Sequence, residues 1–312
     1  MNRTSTALAV SLLLLLAQSC LAPSSPDEGE DALSILFAGD VLLDRGVRPI
    51  AEHRGVAHLF AKVAPYFRRA DAVVVNLECP LTDSLSPVNK QFVFRADARW
   101  AADLHRSGIT HAALANNHSV DQGSTGLRAT WHHLTDAHIV PLGYGPSTAA
   151  QLAPALIAKG RLQVALFNAL DFPLENWFRA EGQPDISRPT ANELCAAVRL
   201  YHAENPKTRI VVILHWGTEF QPMPSIHQRR LAARLAEAGA DAIIGHHPHV
   251  LQPIDTIANT LVFYSLGNFV FDQRPPQTRQ SMMVRLRFRP SAPLEYDTIP
   301  IRIRQCRPVP VR

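Results

Sequence analysis

"DAIIGHHPHV" (Asp241–Val250) runs four small or apolar residues, without polar alternation, into three histidines packed around one proline. A strand with one wet face alternates apolar and polar residues, so a continuous run of this length predicts a strand covered on both faces, as in a layered α/β sheet. A lone histidine at such a place reads as a core residue with satisfied ring nitrogens. His246, His247 and His249 occupy three of four positions, and that density calls for a shared purpose.

Similar runs recur along the chain: "SILFAG" (34–39), "AVVVN" (72–76), "HAALA" (111–115), "QVALFN" (163–168) and "IVVIL" (210–214). Helical segments separate most of them. Two helix starts are marked by capping boxes, Thr190 with Glu193 and Ser225 with Gln228. The second helix stacks Leu231, Leu235 and Ala238 on one side and stops at Gly239. Beyond residue 255 the pattern changes to alternation. "MVRLRFR" sets Val284, Leu286 and Phe288 against Arg285, Arg287 and Arg289, and "IPIRIR" sets Ile301 and Ile303 against Arg302 and Arg304. These are half-buried antiparallel strands, their arginine rows a solvated face or, alternatively, a polyanion surface. No internal repeat or linker divides the chain after residue 33.

With 312 residues, 46% hydrophobic and 19% charged, the chain has ample material for one large core and excludes wholesale disorder. The formal charge is +4, falling to +3 without residues 1–19, and points to no nucleic-acid partner. The N-terminus carries Arg3, an apolar run from Ala7 to Ala17 and small polar residues up to Cys20, the pattern of a signal peptide rather than a membrane span. The residues before Cys20, "LAQS", resemble the lipobox of bacterial lipoproteins, which implies lipidation at Cys20; plain secretion is the alternative. Residues 20–33 then form a Pro-, Ser- and acid-rich tether, and 34–312 the folded domain. Cys79, Cys195 and Cys306 allow at most one disulfide and lack zinc-knuckle spacing.

Polar clusters follow the strands. Asp40 ends the first, Asn76 and Glu78 the second, and Asn116, Asn117, His118 and Asp121 the third; His215 and Glu219, then His246, His247 and His249, end later ones. Ligands bind at the carboxyl ends of parallel strands, so clusters distant in sequence can converge there. Their carboxylates, amide oxygens and imidazoles form the mixed set that manganese, iron or zinc accepts.

The ordered series Asp, Glu, Asn-His, His, His-x-His resembles the ligand series of the calcineurin-like metallophosphoesterases. More closely, "GDVLLDRG", "NLECPLT", "KQFVFRA", "ANNHSVDQG", "HWGTEF", "GADAIIGHHPHVLQPI" and "YSLGNFVFD" resemble, in order, the signature blocks of the CapA (PgsA) family of poly-γ-glutamate capsule synthesis proteins. The resemblance spans about residues 34–290. It implies a layered α/β/β/α sandwich holding one or two divalent ions. By position, Asp40 and His249 would serve one metal, Asn117, His215 and His247 the other, and Glu78 would bridge. His118 would handle a proton; Arg45, Arg95 and Asn76 would hold an anionic substrate, and Glu219 would add a catalytic carboxylate. His247 and His249 are expected to point the same way from an extended segment, with His246 behind them in a supporting role.

Departures from the phosphoesterase pattern are equally legible. Leu42 stands where Asp-x-His has its histidine, Glu78 replaces an aspartate, and Asp44 is an unexpected acid. Cys79 reads as a small buried residue rather than a soft ligand. Three functional readings follow from the resemblance: a lipid-anchored extracytoplasmic protein in a capsule synthesis complex that makes, exports or anchors an anionic polymer; an active hydrolase of an envelope phosphoester; or a metal-stabilised binding module without turnover.

Overall fold

The computed structural model describes residues 32–177 and 183–311; the expected signal peptide, Cys20 and nearly all of the expected tether lie outside these residues. Among the described residues the strands are, in chain order, β1 (Leu33–Val41), β2 (Ala72–Leu77), β3 (His111–Ala113), β4 (Val140–Leu142), β5 (Tyr144–Gly145), β6 (Ala155–Lys159), β7 (Leu162–Asp171), β8 (Asp185–Ile186), β9 (Arg209–Trp216), β10 (Ala242–His246), β11 (Ile254–Ile257), β12 (Thr260–Phe263), β13 (Asn268–Val270), β14 (Gln280–Phe288), β15 (Glu295–Arg304) and β16 (Arg307–Pro310). Leu33, assigned to the tether from sequence, is already strand, paired with Phe288 and fully buried.

The six apolar runs are strands, divided three and three between two sheets. One sheet runs β16-β15-β14-β1-β2-β3-β4, with β13 added on β1; the other runs β11-β12-β10-β9-β7-β6. Strand alternation assigns each residue to a layer. Leu33, Ile35 and Phe37 of β1 meet Val211 and Ile213 of β9 and Ile244 of β10 in the core between the sheets. Leu36 and Ala38 face the other way, onto Leu59, Phe60, Phe67 and Leu104 of the short helices that follow β1 and β2. Ile210, Val212 and Leu214 of β9 face Leu194 and Val198 of the helix Ala191–Glu204 and Leu231 and Leu235 of the helix Ile226–Glu237. The result is helix, sheet, sheet, helix, and it explains why these strands lack polar alternation: both faces are dry.

Both capping boxes form, Thr190 with Glu193 and Ser225 with Gln228. The second helix ends with Gly239 at φ +103, a conformation that favours glycine. β14 and β15 pair antiparallel, and within the arginine rows Arg287 pairs with Glu295 and Asp297, and Arg289 with Glu295. Cys79, Cys195 and Cys306 are free. Among the described residues no helix is long and apolar enough to cross a membrane.

Candidate metal centre

The carboxyl ends of both sheets meet at one place. In register, Asp40 of β1 sits beside Asn76 of β2 in one sheet, and His215 of β9 beside His246 of β10 in the other. Gly245 lets β10 pass its neighbours, since a Cβ there would lie 2.0 Å from the Tyr264 carbonyl oxygen and 2.5 Å from Trp216 Nε1. Glu78, one residue past β2, is fixed by its backbone N–H donating to Val41 O at 2.9 Å.

Asp40, Glu78, His215, His247 and His249 are all buried. His249 Nδ1 lies 3.1 Å from Asp40 Oδ2, and its Nε2 is 3.7 Å from Glu78 Oε1. His215 Nε2 is 2.9 Å from Asn117 Oδ1 and 3.9 Å from Glu78 Oε1. Two sets of donor atoms lie within 4.8 Å of one another, Asp40-Glu78-His249 and Glu78-His215-His247, and they share Glu78. Glu219 joins His247 and His249 in a third set of the same span.

These residues fit a divalent cation. Both Glu78 carboxylate oxygens and both His247 ring nitrogens are buried without a hydrogen-bond partner among the described residues. Leaving such atoms unpaired costs several kcal/mol, and a shared cation would satisfy the Glu78 oxygens and one of the two His247 nitrogens. The electrostatics agree. Burial pushes Glu78 well above the usual carboxylate range and His247 down to about 3. Burial also opposes charge on Asp40 and on His249, but in both the partners prevail. Hydrogen bonds from His246 and His249 hold Asp40 well below its usual range, while Glu78 and Asp40 lift His249 to about 9. The two acids thus favour positive charge on His249, as they would favour a cation between them.

The backbone that presents the histidines differs from the sequence expectation. The extended segment stops at His246. His247 and His249 have φ +95 and +57, so a turn, not strand alternation, aims them at the site. Non-glycine residues at positive φ are strained, and such strain concentrates at functional sites. His246 does support the centre, with Nδ1 3.1 Å from Asp40 Oδ1. Asn76, expected as a substrate contact, bonds to the centre's own side chains. It is 1% exposed and wedged behind the centre, donating to Asp40 Oδ1 at 2.8 Å with its Nδ2 3.3 Å from His215 Nδ1. Arg95 has other partners: its Nη1 donates to Thr82 O at 3.3 Å and its backbone N–H to Asp44. That contact also accounts for the unexpected acid, since Asp44 accepts from Arg95 N and Arg48 Nε and so tethers two loops. Arg45 stands nearby, ion-paired with Asp272 and lying over the rings of Phe94 and Phe271. Leu42, in place of a histidine, is fully buried, and Cys79 accepts from Leu43 N, its thiol pushed up by burial.

His118 stacks on Phe94, ring centroids 4.2 Å apart, and its Nδ1 is 2.8 Å from Asp121 Oδ2. Burial lowers its pKa, opposed by Asp121. Lys90, which sequence reasoning gave no role, ion-pairs with Asp121 and donates to Asn117 O at 2.7 Å. The scarcity of lysine was its signal, one of four in an arginine-rich chain. Phe172 was also missed; its ring lies 4.4 Å from that of His247. Lys90, Phe92, Asn117, His118, Phe172 and Glu219 line the mouth of the centre.

Residues 34–273 match the family model described as "Bacterial capsule synthesis protein PGA_cap". The chain is 32% identical over 294 residues to the PGA biosynthesis protein CapA of Bacillus subtilis (strain 168), covering 93% of this chain and 77% of that one. It is 30% identical over 299 residues to the capsule biosynthesis protein CapA of Bacillus anthracis, covering 93% and 72%. Among solved structures, the NAD nucleotidase of Haemophilus influenzae matches with TM-score 0.52 at 13% identity, over 87% of this chain and 50% of that one, so this chain spans about half its length. That likeness concerns the fold alone, which is the calcineurin-like metallophosphoesterase type. Seven ordered motifs, the family model and two relatives along almost the whole chain agree: the chain belongs to the CapA (PgsA) family of bacterial capsule synthesis proteins.

Proposed function

We propose that the protein acts outside the cytoplasm on an anionic γ-glutamyl capsule polymer, through a hydrolase-like centre that holds one or two divalent ions, manganese, iron or zinc. The observation that carries this reading is Glu78, a fully buried carboxylate with both oxygens unpartnered between two histidine-bearing donor sets. A binding module has no need of so costly a group. Asp40 and His249 would hold one ion, Asn117, His215 and His247 the other, with Glu78 between them and Glu219 within reach. Divalent ions in such a site supply Lewis acidity towards a carbonyl or phosphoryl oxygen and make water acidic enough to attack at neutral pH.

The chain's own residues would do the rest. Asp121 on Nδ1 fixes the tautomer of His118 and leaves Nε2 to carry a proton at the mouth. Arg45, steadied by Asp272, would meet the substrate anion at the rim. His118→Ala is expected to retain full metal content and lose turnover by about 10²–10⁴-fold. Turnover of γ-glutamyl polymers and of phosphoesters, assayed side by side on metal-loaded protein, tests the substrate class. Phosphoester turnover alone would favour an envelope phosphoesterase, and no turnover at full metal content would leave a polymer-binding role.

Membrane attachment is part of the same proposal. Lipidation at Cys20 would place the domain on a tether beside a capsule synthesis complex. Cys20→Ser should move the protein from the membrane pellet to the soluble fraction; unchanged pelleting would require another anchor.

A further inference from the structure

A cleft of about 540 Å³ opens beside the metal centre, a volume typical of built ligand sites. Phe172 and Pro173 line both this cleft and the mouth of the centre, and Phe172 packs its ring on His247. A chain lying in the cleft would therefore pass directly over a proposed metal ligand.

The walls are of two kinds. Leu170, Leu174 and Pro189 supply apolar surface, while Thr218 and Arg188 supply polar groups. Arg188 is held in place: its Nη2 donates to Asp185 Oδ2 at 2.8 Å, and Asp185 is itself anchored by Trp177 Nε1 at 3.2 Å and Ile186 N at 2.8 Å. Its side chain is 24% exposed and lines the cleft while ion-paired with Asp185. His227 and Asp171 also line the cleft, with His227 Nε2 2.7 Å from Asp171 Oδ2. Prepositioned guanidinium beside apolar wall suits a ligand that repeats carboxylate, amide and methylene groups.

We infer that this cleft is a subsite for the residues of a carboxylate-bearing, amide-linked chain that flank the group held at the metal centre, with Arg188 as the carboxylate contact. The inference rests on the γ-glutamyl reading above and deepens it: the protein grips a run of the polymer rather than a single unit. Affinity should then grow with oligomer length until the cleft is filled.

The test is calorimetric titration of the metal-loaded protein with synthetic γ-linked glutamate oligomers of two, four and eight residues. In the wild type the eight-residue oligomer should bind about tenfold or more tighter than the two-residue one. Arg188→Gln should abolish that gain while leaving the metal content and the two-residue affinity unchanged, and Arg188→Lys should restore it only in part, because lysine lacks the planar fork. Since Arg188 also contacts Asp185, Thr218→Trp provides a second variant that fills the cleft without removing an ion pair, and it should flatten the length dependence in the same way. Undiminished length dependence in Arg188→Gln and Thr218→Trp would overturn the subsite and leave the γ-glutamyl reading standing. Fully loaded wild type that binds none of the oligomers would overturn both.

Discussion

Glu78→Gln should leave the protein folded and unable to hold its metal. The carboxylate is wholly buried, both its oxygens lack partners, and burial pushes its pKa well above the usual range. Without a cation it is a liability, and a neutral carboxamide of the same shape relieves the cost of burying charge. Metal-free Glu78→Gln is therefore expected to be at least as stable as the metal-free wild type. With metal the order reverses. Glu78 is common to two donor sets, so its loss weakens both at once. Removing a residue that merely supports a ligand costs about 10–100-fold in metal affinity, and loss of a shared ligand should cost at least about 100-fold. Elemental analysis of protein purified without chelator should find about one or two ions per wild-type chain and almost none in the variant. Chelator should lower the melting temperature of the wild type and leave that of the variant unmoved. Full loading of Glu78→Gln would sink the assignment of the site.

Much of this centre was legible because strands buried on both faces announce themselves, and because α/β sheets gather chemistry at their carboxyl ends. Asp40, Glu78, Asn117, His215, His247 and His249 follow apolar runs in the sequence and come together in space. What periodicity could not give was the partition of β1, β2 and β3 from β7, β9 and β10. Doubly buried strands carry the same pattern whichever sheet they join. Nor could alternation reveal that His247 and His249 leave the extended region, since the turn is imposed by packing at the strand end. Asn76 and Arg95 have the right chemistry for an anion and the wrong neighbours for it. Their partners, Asp40, His215 and Thr82, decide their roles. Asp44 shows the reverse, an acid that seems out of place until Arg48 and Arg95 are seen to share it.

Lys90→Met should be among the most damaging single changes away from the metal ligands. Lys90 lies in the segment between Ser84 and Phe94, outside any helix or strand, where hydrophobic periodicity does not mark it. Its side chain is 6% exposed and its ammonium pairs with Asp121, whose side chain is 0% exposed. Asp121 also binds His118 Nδ1 and Phe94 N at 2.7 Å, so the variant strands a buried carboxylate with two hydrogen bonds and no full countercharge. Breaking a buried pair from one side costs about 3–5 kcal/mol, and chemical denaturation should show a loss of that order. Lys90→Met with Asp121→Asn should be less damaging than the sum of the single changes, because the second substitution removes the stranded charge; the coupling should be about 1–3 kcal/mol. A loss confined to about 0.5 kcal/mol, or strict additivity, would show the pair to be a bystander. The same contact reaches the metal centre, since Lys90 Nζ donates to the carbonyl of Asn117, whose side-chain oxygen meets His215. Metal affinity should therefore fall in Lys90→Met even where the protein stays folded. It should fall less in the more conservative Lys90→Arg, which keeps the charge beside Asp121 while altering the reach to Asn117.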